Sequence, residues 1–183
     1  MKKAISGFIA LTAFGLACAD GHQPIGATAE DRIALAMKAA PGNVSGNATI
    51  MEMDGSLLRE GSNGWTCMPG VPPNFENPMC VDAAWMKWLD AYMNKKPFTP
   101  GSEMGISYML VGDVPVDNDD PYGMDPAVNT WIKEGPHLMI LLPLEMLEGM
   151  PTDPYGGGPY VMWAGSEFAH IMVPLEVTQP IAQ

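Results

Sequence analysis

The chain has 183 residues, with 21 acidic side chains against nine basic ones and a formal net charge of −12. That balance leaves no basic face for a polyanion or an anionic membrane surface, and with no DNA- or RNA-binding motif present it argues against nucleic-acid partners. Low charge density beside 18 Pro and 20 Gly describes a turn-rich domain, while five each of Trp, Tyr and Phe supply the core material that a disordered chain lacks.

Residues 1–19 read as a secretory leader. Lys2 and Lys3 start it, a largely apolar run follows to Ala17, and Ala17-Cys18-Ala19 has the small-x-small pattern of a cleavage site. The run is shorter than the roughly 20 residues a bilayer-spanning helix needs, so no transmembrane segment is expected. Cys18 after Gly15-Leu16-Ala17 half matches a lipobox. A lipid anchor at Cys18, giving an outer-membrane lipoprotein, is therefore the alternative to cleavage after Ala19. Either route predicts a periplasmic or secreted protein. Without the two leader lysines, seven basic residues face 21 acids and the charge becomes −14. Residues 20–28 form an expected flexible segment, and 29–183 a single domain.

Thr28 begins a capping-box pattern with Asp31, and Ile33, Met37 and Ala40 then share one stripe of a short helix that Pro41-Gly42 stops. Residues 48–53 alternate, Asp54-Gly55 is a favoured two-residue turn, and 56–60 make a return strand. Asn63-Gly64 is a second turn signal leading to Cys67, so the natural reading is a three-stranded meander. Beyond the leader only Cys67 and Cys80 remain; in an oxidising compartment they are expected to pair as a disulfide across a proline-rich loop. A thiolate metal pair is the alternative, although neither Cys has a Cys or His close in sequence.

Residues 81–94 carry the clearest helical pattern, with Val81, Trp85, Trp88 and Tyr92 on one stripe and Lys95-Lys96-Pro97 closing it. Such a stripe packs on a sheet, or lines an apolar cleft in which Trp85, Trp88 and Tyr92 touch a ligand. Strands are expected at 106–111 and 138–142, the latter buried on both faces, with a short helix at 143–147. A closing hairpin is expected from 160–163 and 169–173. Helices do not alternate regularly with strands, which predicts an α+β fold: a mainly antiparallel β-sheet with two or three helices packed on it.

Four phrases, Gly64-Trp65-Thr66-Cys67, Gly135-Pro136-His137-Leu138-Met139-Ile140, Gly157-Gly158-Pro159-Tyr160-Val161-Met162-Trp163 and Ala169-His170-Ile171-Met172-Val173-Pro174, resemble those of a family of uncharacterised secreted bacterial proteins. The resemblance covers roughly residues 28–176 and implies export and one domain. It carries no activity. The loop before Asp120-Pro121-Tyr122 is more acidic here, at Asp117-Asn118-Asp119, than the family pattern, which weakens a family-wide metal role for it.

The candidate chemistry lies in a near-repeat. His137-Leu138-Met139-Ile140 and His170-Ile171-Met172-Val173 share one pattern, and residues two apart in a strand face the same side. If the strands are neighbours, His137, Met139, His170 and Met172 offer two imidazoles and two thioethers, a donor set that suits copper. Core filling by Met and a backbone-bonded His are the ordinary explanation of the same residues. Asp113, Asp117, Asp119, Asp120 and Asp125 could offer oxygen to calcium, but Tyr122 stands where an EF-hand needs Gly. No nucleophile elbow, Walker loop, zincin helix or dinucleotide fingerprint is present. The expected function is thus non-enzymatic binding of a small ligand or a protein partner. A copper-binding protein and a hydrolase using His137 or His170 as base, with Ser166 and Glu167 nearby, are the alternatives.

Overall fold

Thr28 accepts the Asp31 amide on its hydroxyl while Asp31 accepts the Thr28 amide in return, and this closed capping box starts helix α1 (Ala29–Met37). The computed structural model describes residues 25–101 and 103–181; the leader, Cys18 and most of the segment expected to be flexible lie outside the described residues. Pro41 does not merely stop the first helix. It caps a second short one, α2 (Gly42–Ser45), where Pro-Gly in sequence predicts only a stop, because a proline that ends one helix also suits the start of the next.

β1 (Thr49–Met51) and β2 (Leu57–Arg59) form the expected hairpin, with Gly55 at φ +89° in its turn. The expected meander does not form. β3 (Thr66–Met68) lies on the far side of β1 and parallel to it, so that Ile50 pairs with Cys67. This placement puts Ile50, Cys67 and Cys80 together under α1, sealed by Ala36, Ala39 and Ala48. Arg59 braces the arrangement by donating to the Ser45 and Ala48 carbonyls at 2.8 and 2.9 Å. β4 (Met79–Val81) then pairs antiparallel with β3, and the directly opposed Cys67 and Cys80 are joined by the expected disulfide.

Val81 ends a strand and does not open the helix. Asp82 is the N-cap, and α3 runs Ala83–Met93. One Asp82 oxygen accepts the Ala84 and Trp85 amides, and the other accepts the Ile106 amide at 2.7 Å. A single carboxylate therefore starts α3 and ties it to β5 (Gly105–Met109). Two short strands follow, β6 (Val116–Asp117) and β7 (Trp131–Lys133), and then the central β8 (His137–Leu141). The apolar segment after β8 forms a single 3-10 turn, Leu144–Leu147, where a short helix was expected. β9 (Tyr160–Met162) and β10 (His170–Pro174) make the expected closing hairpin, and β11 is Gln179–Pro180.

Among the described residues eight strands join in the order β2-β1-β3-β4-β5-β8-β10-β9, with β1-β3 the one parallel pair; β11-β7-β6 form a small antiparallel sheet. The fold is α+β with a mainly antiparallel sheet. Face pairing is continuous across the centre. Met109, His137 and Pro174 share one rung, Ser107, Met139, Met172 and Tyr160 the next, and His170 and Met162 the last. This face carries α3 and the largest core cluster, while the opposite face is covered by α1 at one end and by Leu147 with its neighbours at the other. Glu134, buried after β7, accepts the Tyr160 and Thr178 hydroxyls at 2.7 and 2.8 Å and so fastens the small sheet to the large one.

Candidate functional site

β8 and β10 are neighbours, and the two His-x-Met segments lie on the same face. Met139 is directly opposite Met172. The antiparallel register places His137 across from Pro174 at one end of the pair and His170 at the other. Both imidazoles are 0 % exposed, and the methionines are 7 % and 2 % exposed.

The near-repeat in sequence is also a repeat in local geometry. His137 Nδ1 bonds the carbonyl of Gly135 at 2.7 Å, and His170 Nδ1 bonds that of Phe168 at 2.9 Å. In each case the partner is the carbonyl two residues upstream. A carbonyl only accepts, so both Nδ1 atoms carry the proton, and each Nε2 keeps its lone pair. Among the described residues neither Nε2 has a hydrogen-bond partner, although both are buried. Burial pushes His170 down to about 4, opposed by the bond to Phe168 and aided by the charge of His137; burial lowers His137 too. Both rings are neutral near pH 7.

The aromatic stripe of α3 is packed onto this layer. Trp85 and Trp88 are 2 % and 5 % exposed. With Trp163 they surround His170 edge-to-face, at ring-centroid distances of 5.4, 5.4 and 5.1 Å. Tyr92 stacks on Trp88, Trp163 and Tyr122, and its hydroxyl donates to the Pro121 carbonyl at 2.9 Å. The space between α3 and the sheet, where an apolar cleft was expected, is thus filled by rings. An apolar surface pocket of about 430 Å³ lies on the other face, bordered by Leu144, Leu147, Met150, Val161 and Ala169.

The other candidates are occupied by the fold itself. Asp117 accepts the Asp119 and Asp120 amides on one oxygen and the Asn129 amide on the other, and its carbonyl accepts the Trp163 indole N–H. Asp119, Asp120 and Asp125 likewise accept backbone amides, so these carboxylates shape the loop. Among the described residues no group of three or more His, Cys, Asp or Glu lies close enough to hold a metal. Ser166 caps the Phe168 amide and Glu167 accepts the Phe98 amide, and among the described residues neither imidazole hydrogen-bonds a hydroxyl or carboxylate.

Two residues that the sequence reading passed over complete the layer: Met109, directly opposite His137 on β5, and Met162, directly opposite His170 on β9. Their signal was present in the period-two pattern of strands already expected, but their rung depended on register. Against protein-family models, curated proteins and solved structures alike, the chain has no match. Among the described residues no helix is long and apolar enough to cross a membrane.

Proposed function

We propose that this protein is an exported copper(I)-binding domain whose ion-holding side chains include His137, Met139, His170 and Met172. One observation carries the reading: each imidazole is pinned through Nδ1 and leaves an unpartnered Nε2 lone pair buried in the layer that also holds the Met139–Met172 pair. Metal-ligating imidazoles are commonly oriented in this way, by a carbonyl on the far nitrogen. Thioethers select soft ions, and a set of neutral nitrogen and sulfur donors favours copper(I) over calcium or magnesium. The leader pattern at residues 1–19 and the Cys67–Cys80 disulfide both suit an oxidising compartment outside the cytoplasm. Trp85 and Trp88 lie in the core with half-buried Tyr92 packed against them, which counts against the cleft on which small-ligand binding was expected to rest.

The test is calorimetric titration of metal-free mature protein with copper(I) supplied under nitrogen. Binding tighter than about 1 μM is expected, lost when His137→Gln and His170→Gln are combined. Because buried His variants can fold poorly, Met139→Leu with Met172→Leu, a nearly volume-conserving pair, provides a second route. Absence of binding at that level, or binding unchanged in both double variants, overturns the reading.

A further inference from the structure

Resting on the copper reading above, we infer that the layer holds two separate copper(I) ions, one at each end of the β8-β10 pair, and that each is completed by a methionine from the next strand out. The first set is His137 with Met109 and Met139; the second is His170 with Met162 and Met172.

Register forces the separation. His137 pairs with Pro174, four residues along β10 from His170. At about 3.3 Å per residue the two stand roughly 13 Å apart along the strands. Each ring is tied through Nδ1 to the carbonyl two residues before it on its own strand, toward opposite ends of the antiparallel pair, which turns the Nε2 sides inward without closing a gap of that length. A shared ion would need both Nε2 atoms within about 2 Å of it. Thioethers stand nearer to each imidazole than the other imidazole does. Residues directly opposite in an antiparallel pair have Cβ atoms about 5 Å apart, which describes both His137–Met109 and His170–Met162. All four methionines belong to the same buried cluster.

The two ends differ in surroundings. His170 lies among Trp85, Trp88 and Trp163, whose π faces attract cations. Among the described residues no indole ring packs on His137. An ion at the His170 end therefore alters tryptophan emission, and one at the His137 end does not.

Native mass spectrometry of the mature protein loaded with copper(I), read beside tryptophan fluorescence, tests this. Two coppers are expected. His137→Gln and Met109→Leu should each keep one copper and the full fluorescence change. His170→Gln and Met162→Leu should each keep one copper and lose that change. One copper in the wild type, or loss of all copper from any single variant, overturns the two-ion inference and leaves the copper reading standing. No copper at all overturns the copper reading itself.

Discussion

Met139 on β8 faces Met172 on β10 across the antiparallel pair, and each has a fully buried His two residues before it. The pair is thus the midpoint of a local two-fold axis that exchanges one His-x-Met segment for the other. Four donors expected to converge stand in a line, with thioethers at the centre and imidazoles at the ends.

The disulfide closes the loop between two core strands, so its loss is felt mainly by the unfolded chain. For a loop of this size the chain-entropy estimate is about 3 kcal/mol. Cys67→Ala with Cys80→Ala should lower the urea stability by roughly that amount, and an unchanged midpoint would refute the assignment.

Asp82 performs two tasks with one carboxylate. Loss of a helix cap alone costs about 1 kcal/mol, and the freed Ile106 amide adds to it. Asp82→Ala should therefore cost about 2 kcal/mol in total. Asp82→Ser, which restores the cap but not the reach to β5, should recover only part of it. Equal stability of the Ala and Ser variants would show that the cap is irrelevant.

Gly123 leaves room for Asp117: a Cβ there would overlap an Asp117 carboxylate oxygen already held by Asn129. Gly123→Ala should destabilise by about 1–3 kcal/mol. Gly158→Ala meets nothing within 4 Å and should stay within about 0.5 kcal/mol of the wild type. Thermal melts of the two variants decide it, and similar midpoints would contradict the packing of this loop.

Burial raises Asp113 from 3.8 to about 6, and raises Glu134 as well. A raised acid favours the folded state while protonated. Its stabilisation is complete below its unfolded value and is lost as pH rises through about 6. His170 acts in the opposite sense: lowered from 6.5 to about 4, it contributes above its unfolded value and loses that contribution as pH falls. The wild-type profile mixes both slopes, so the difference from Asp113→Asn is the quantity to measure. Urea midpoints should show the wild type losing ground to the variant as pH rises from about 4 to about 6, and then running parallel to it. A difference that does not change with pH would remove Asp113 as the cause.

Local signals were the legible ones. The capping box at Thr28, the Asp54-Gly55 turn, the α3 stripe and the closing hairpin each need only residues near one another in sequence. What escaped was set at a distance. β3 joins β1 and not β2 because Ile50 and Cys67 must share the α1 face, a constraint no turn residue encodes. β6, β7 and β11 are two or three residues long, too short for alternation to register, and are held by partners elsewhere such as Glu134. The site divides in the same way. Period two gave each His its Met, while the rung that opposes Met109 to His137 and Met162 to His170 became visible only with the strands aligned.

The bond between Cys67 and Cys80 lies on the α1 face, turned away from the histidines, in the cluster of Ala36 and Ile50. Thiolates grip soft metals harder than any other side chain, and here both cysteine sulfurs of the described fold are spent on each other. On the copper reading proposed above, the donors that the buried layer leaves to a soft ion are thioethers and neutral imidazoles, with no thiolate among them.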